Sequence, residues 1–265
     1  MQGRPGVRHP FLRMRFSEAL ALLAAGTAGG IFSTVAAIAS LVTYPVLLAL
    51  GVPPLAANMT NTVSLVLAGA GSAAGSRPEL AGQGRLVLRL GAITALGGAA
   101  GAAILLLTPA STFTVAVPVL IGGASLLLLV QPRISMLKPL AVMDTRRRLA
   151  LGAALFAVAI YVGYFGAAAG VMLLVVLSAL ISEPLVRVNA IKNAVSGMAN
   201  ATAAACFALF GDVRWNLVLP LAAGFLIGGW IGPKIARRVP AGVFRVFVSL
   251  CGLGLAVKLG ISAYG

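Results

Sequence analysis

The sequence predicts an all-α, polytopic integral membrane protein of about eight transmembrane helices in two homologous halves. Three observations carry that prediction. Hydrophobic residues make up 60% of the 265 and charged residues only 9%, where a soluble domain has about 25% charged. Apolar runs recur along the whole length, each long enough for the roughly 20 helical residues that cross a hydrocarbon core of about 30 Å. A pattern of prolines, asparagines and glycines between residues 54 and 101 returns between 184 and 232. The mean hydropathy of +1.04 agrees.

Residues 1–15 carry Arg4, Arg8, Arg13 and Arg15 ahead of an apolar run and read as a basic cytoplasmic tail. The run continues to Leu50, well past the core of a secretory signal, so it is expected to be a retained membrane segment. The first repeat is expected over 16–131. Its opening stretch, Phe16 to Leu50, would be roughly 50 Å of straight helix. The glycines and hydroxyls of GTAGGIFST at 26–34 predict a kink or break there. Gly51-Val52-Pro53-Pro54 turns the chain into a second span with Asn58, Thr60, Asn61 and Ser64 in its opening turns. Third and fourth spans follow at about 86–107 and 113–130, and a cytoplasmic linker is expected over 132–148.

The second repeat, 149–265, starts the pattern again. Leu149 to Ile181 is overlong, with Gly163 and Gly166 near its middle, so a second broken helix is expected. Ser182-Glu183-Pro184 opens the next helix, with proline in the first turn where it is tolerated. Spans at about 215–233 and 243–262 complete the chain. Asn61-Thr62-Val63-Ser64 matches Asn193-Ala194-Val195-Ser196 at a separation of 132, and Gly97 and Gly101 match Gly228 and Gly232. Such repeats build many secondary transporters, with the site where the repeats meet.

Four crossings per half would put the tail, 76–89, 131–148 and 211–214 on one side, with thirteen Lys and Arg. About five remain opposite: Arg187, Lys234, Arg237, Arg238 and Arg245. The positive-inside rule then places both termini in the cytoplasm. If each overlong stretch is instead two crossings, each half has five and the repeats are inverted.

Within this apolar chain one stretch stands out, NAIKNAVSGMAN at 189–200. On a helix Asn189, Asn193, Ser196 and Asn200 share one face, and Lys192 borders it. An ammonium and several amides inside a span mark a substrate or ion path by default. A cation flanked by amide donors suits an oxyanion, because the N–H groups replace its hydration. The blander readings are a lysine that snorkels to the interface and amides that act as interhelical glue. Asn58, Thr60, Asn61 and Ser64 are the first-half partners expected at the same cavity, or else capping and packing residues. Gly30 and Gly166 would offer free backbone N–H groups where the helices unwind. Gly97, Gly101, Gly228 and Gly232 read as close-packing positions.

The glycine-rich first segment, the Gly-Val-Pro-Pro turn and the asparagine-bearing second span resemble the sulfite exporter TauE/SafE family. So do Arg187-Val188-Asn189-Ala190-Ile191-Lys192-Asn193 and the tail from Gly211-Asp212-Val213-Arg214-Trp215 to Ala236-Arg237-Arg238-Val239-Pro240. The resemblance covers about 20–262. It implies an inner-membrane transporter, with outward movement expected, of sulfite, organosulfonates or related small sulfur-containing anions.

Enzymatic chemistry finds little support. Glu18, Glu79, Asp144, Glu183 and Asp212 fall in or near expected loops or helix ends, and His9 is in the tail. No cofactor is expected. The net charge of +15 reads as contact with anionic lipid, not nucleic acid, because the arginines lack interleaved aromatics. Cys206 and Cys251 read as small buried hydrophobes. A homo-oligomer is compatible with all of this. The rival readings are a transporter of another small anion and a non-transporting scaffold or accessory subunit.

Overall fold

The computed structural model describes residues 15–134, 145–238 and 242–264. Nearly all of the basic tail and most of the 132–148 linker lie outside the described residues. The described chain is helical: α1 (Phe16–Ala36), α2 (Ala39–Ala49), α3 (Pro54–Gly75), a single turn α4 (Arg77–Leu80), α5 (Gly84–Leu107), α6 (Ala110–Ile134), α7 (Thr145–Tyr164), α8 (Ala169–Leu180), α9 (Leu185–Phe210), α10 (Trp215–Ala236) and α11 (Gly242–Tyr264). Among the described residues, α1, α5, α6, α9 and α10 are long and apolar enough to cross a membrane. α3 has comparable length at 22 residues, but its polar residues lower its hydropathy. α2 and α8, of 11 and 12 residues, are half-length.

Both overlong stretches are broken, and the breaks correspond. The chain leaves α1 through Ala37 at φ 61° and enters α8 through Ala168 at φ 54°, two alanines in the left-handed region 131 residues apart. The second break, with Gly166 at φ 73°, falls where the sequence predicts it. The first does not, because the 26–34 segment stays helical. Its glycines are used for packing: Gly26 lies on Leu221 and Gly224, and Gly30 on Phe225, Gly228 and Gly229 of α10. Thr27 satisfies its hydroxyl locally, donating to the Leu23 carbonyl at 2.8 Å.

Glycine contacts also fix the helix directions. Gly26 meets Leu221 while Gly232 meets Thr34, so α1 and α10 run parallel. Gly71 and Gly75 meet α10 successively nearer its C-terminus, so α3 is parallel to it as well. In the same way Gly97 and Gly101 rest on Phe156 and Ile160, making α5 parallel to α7. α5 is also parallel to α9: the Thr94 hydroxyl donates to the Val195 carbonyl at 2.7 Å, and Gly98 lies on Ala199. The halves therefore exchange a helix. α10 of the second half packs between α1 and α3 of the first, and α5 of the first packs between α7 and α9 of the second.

Both exchanges require glycine. A Cβ on Gly98 would stand on the Ala199 backbone, and one on Gly229 would stand 2.5 Å from the Ala68 carbonyl. Helices without a hydrophobic drive between them associate through such close approach.

α1 begins at the same end of the molecule as α10, while α3 ends beside Trp230 and Pro233 at the other. There Arg237 pairs with Glu79 at 2.6 Å, and Gln83 donates to Glu183 at 3.0 Å. α2 thus returns the chain within the first half, as α8 does in the second. Each half therefore runs in five segments of alternating direction, two of them meeting at the break, and the repeats are inverted. This corrects the loop grouping expected from four crossings per half. Arg15 and Arg214 lie at one end, whereas Arg77, Arg85, Arg187, Lys234 and Arg237 lie at the other.

Candidate functional site

The two breaks meet α3 and α9 at the centre of the bundle. α3 and α9 cross where Gly69 faces Gly197, with a Cβ on Gly69 only 3.0 Å from the Gly197 Cα. The first break touches the second, since a Cβ on Gly170 would lie 2.6 Å from that of Ala37. Between them lies a cavity of about 50 Å³. Its floor includes the first residues of both half-helices, Ala39 and Ser40 of α2 and Ala169 and Gly170 of α8. The first-turn N–H groups of a helix have no intrahelical acceptor and carry about half a positive charge. Two such ends therefore converge on one small space.

Lys192 lines this cavity and is 2% exposed. Its Nζ donates to the Ser33 carbonyl at 3.4 Å. The ion pairs among the described residues are Arg187–Glu183, Arg214–Asp212 and Arg237–Glu79, so Lys192 is in none of them. The ammonium is buried, which is not the snorkelling arrangement. An unpaired charge there is costly unless something neutralises it.

Of the other residues singled out in the sequence, Asn193, Ser196, Asn200 and Gly166 also line the cavity. Asn58, Thr60, Asn61, Ser64, Asn189 and Gly30 are not among its lining residues, and most have structural partners. Asn58 donates to the Tyr164 carbonyl at 2.9 Å, and Asn189 to the Thr34 carbonyl at 3.0 Å. Both carbonyls belong to the last turn of a broken helix, where the helix itself supplies no N–H donor to them. Thr60 accepts from the Arg214 N–H at 3.0 Å. Ser64 donates to the Thr60 carbonyl at 2.8 Å. Asn61 is bonded to Thr43 and Ser40. Gly30 is pressed against α10.

The structural equivalence runs at 131 rather than the 132 read from matching letters. Pro53 and Pro184 cap α3 and α9 with nearly identical angles, φ −56° and −55°. Ala37 corresponds to Ala168, Asn58 to Asn189, and Ala68 beneath Gly229 to Ala199 beneath Gly98. This register sets Asn61, not Thr60, against Lys192.

The residue pattern and the architecture agree with a third observation: the model of the sulfite exporter TauE/SafE family matches residues 22–259. The chain belongs to that family. No curated protein and no solved structure matches it. As a TauE/SafE protein it is a multi-pass member of a family of sulfite-type membrane transporters, and the cavity between its halves is its candidate site.

Sequence reasoning missed Ser33, Ser40, Thr62 and Ser72, the remaining polar residues lining the TauE/SafE cavity. Ser33 and Ser40 flank the first break, and a break placed at 37–38 would have drawn them in. Tyr44 and Tyr161 serve the scaffold. Their hydroxyls donate to the Pro54 carbonyl at 3.3 Å and the Ala167 carbonyl at 3.0 Å, the latter bracing the second break.

Proposed function

We propose that this TauE/SafE protein carries a small sulfur-containing oxyanion such as sulfite across the bacterial inner membrane, outward, through the cavity between its halves. One observation carries the reading: the buried Lys192 ammonium faces the same cavity as the first turns of α2 and α8. A protonated Lys192 and two helix ends of about half a charge each are a fit for a doubly charged oxyanion. The cavity, at about 50 Å³, exceeds the roughly 10–15 Å³ that one water needs on the same measure. That is room for one small anion. Outward flux of an anion is favoured by an inside-negative potential, at about 2.3 kcal/mol per charge per 100 mV.

The test is flux of labelled sulfite, sulfate, thiosulfate and a sulfonate in vesicles holding purified protein, with Lys192→Met beside it. Sulfite flux that follows an imposed potential and falls at least tenfold in the variant is expected. Equal flux in both proteins would remove Lys192 from the site. Flux that ignored the potential and followed a pH gradient would remove the energetic argument. A scaffold would pass no anion at all.

The basic end of the molecule, with Arg77, Arg85, Arg89, Arg187, Lys234, Arg237 and Arg238, belongs in the cytoplasm by the positive-inside rule. The termini, expected in the cytoplasm from four crossings per half, lie outside in this proposal. A cysteine placed at Ser17 is expected to react with an impermeant reagent in intact spheroplasts. One placed at Gln83 is not, and the reverse pattern would invert the assignment.

A further inference from the structure

Asn61 occupies the place of Lys192 in the first half, yet it does not line the cavity. Its amide sits between two hydroxyls of α2. The Thr43 Oγ1 is 2.6 Å from Oδ1, and Nδ2 is 3.3 Å from the Ser40 Oγ. A separation of 2.6 Å falls within the range for O–H···O bonds and below that for N–H···O bonds. The amide oxygen therefore faces Thr43, whose single proton goes to it at 2.6 Å in preference to the Ala39 carbonyl at 3.1 Å, and the amide nitrogen faces Ser40. A serine hydroxyl has one proton and two lone pairs. With one lone pair taken by Asn61, the Ser40 proton is left to donate. No acceptor for it occurs among the described residues, and of Thr43, Asn61 and Ser40 it is Ser40 that lines the cavity.

The chain Thr43–Asn61–Ser40 is buried throughout, at 0%, 1% and 9% exposure. In the register of 131, the second half has Val171 and Leu174 in place of Ser40 and Thr43, and Lys192 in place of Asn61. One half therefore brings a charge, and the other brings an oriented hydroxyl at the N-terminal turn of a half-helix. We propose that Ser40 is the first half's hydrogen-bond donor to the transported anion. Asn61 and Thr43 are then positioning residues that hold its hydroxyl toward the cavity. This assignment rests on the anion-site reading above.

The experiment measures initial sulfite flux against concentration in vesicles for the full-length protein and for Ser40→Ala, Ser40→Thr, Thr43→Val, Thr43→Ser and Lys192→Met. Removing one hydrogen bond to a charged group is expected to raise KM on the order of tenfold in Ser40→Ala. Ser40→Thr keeps the hydroxyl and restores KM. Thr43→Val frees the amide to turn and accept the Ser40 proton, so KM rises with kcat retained, and Thr43→Ser restores it. A purely structural Thr43 would change the amount of folded protein but not KM. The proposal is overturned if Ser40→Ala keeps the parent KM while Lys192→Met raises it, a result that leaves the site itself standing. If Lys192→Met also keeps the parent KM, the anion-site reading falls with it. Should Thr43→Val not fold, the Ser40→Ala and Ser40→Thr pair decides alone.

Discussion

α3 and α9 are the same helix built twice, and the differences between them show which residues serve the fold and which serve the cavity. Both start behind a proline cap, both use an asparagine in the first two turns to satisfy the carbonyl of a broken helix, and both accept a glycine of an exchanged helix. These features recur because each half must solve the same backbone problem. Past them the helices diverge. Asn61 spends its amide on α2, whereas Lys192 faces the cavity with one long bond to Ser33. An inverted pair of repeats makes symmetric scaffolds, and the anion-binding character comes from where that symmetry is broken.

The sharpest way to break this comparison is to exchange the two residues. Asn61→Lys puts a second ammonium where the neighbours are Thr43 and Ser40 and no carboxylate is paired. A buried charge left without a partner costs about 3–5 kcal/mol, so the variant is expected to be poorly inserted or to aggregate on extraction. Lys192→Asn removes a charge instead and is expected to keep the fold while losing sulfite affinity. Fluorescence size-exclusion profiles and binding measured in parallel separate the two. A monodisperse, active Asn61→Lys protein would show that the first-half site is open to the cavity after all.

A smaller effect tests the shared part of the comparison. Asn58→Ala and Asn189→Ala each strip the donor from a carbonyl in the last turn of a broken helix. Interhelical hydrogen bonds in membranes average about 0.6 kcal/mol and reach about 1.7, so each variant is expected to lose about 1 kcal/mol. Because the two bonds are related by the repeat, their losses should match. Thermal unfolding of the pair in one detergent checks this. A large loss in one and none in the other would mean that the two ties are not equivalent.

How much of this was legible beforehand follows from the kind of signal each feature leaves. Hydropathy marks spans, and glycine spacing marks close packing, so the helices and the roles of Gly97, Gly101, Gly228 and Gly232 are readable. A buried lysine among amides is readable for the same reason, since it is costly in lipid. The register was not. Asn61 matches Asn193 and Ser64 matches Ser196 by letter, yet the helices superpose one residue away. A shift of one residue turns a helix by about 100°, enough to carry Asn61 from the cavity face to the α2 face. The direction of the later helices was not legible either, because a half-helix of 11 residues reverses the chain without adding a hydrophobic run of its own. Ser40 escaped notice because its importance depends on both of these.

The smallest expected effect concerns the breaks themselves. Glycine was the residue expected to break the first helix, yet the left-handed positions at the matching points of the two breaks are Ala37 and Ala168. A residue with a Cβ in that region costs roughly 1–2 kcal/mol relative to its right-handed form. Ala37→Gly and Ala168→Gly remove that cost but enlarge the freedom of the unfolded chain, which returns part of the gain. A net stabilisation of about 0.5–1 kcal/mol in each is expected, visible as a modest rise in the thermal midpoint. The two variants should gain in the same direction, since φ is left-handed at both equivalent points of the repeat, 61° and 54°, although ψ is 36° at Ala37 and 8° at Ala168. The packing differs, however: the Ala37 Cβ lies beside Gly170 at the start of α8. If Ala37→Gly gains less than Ala168→Gly, the deficit measures what that methyl contributes to holding the first break against the second half-helix.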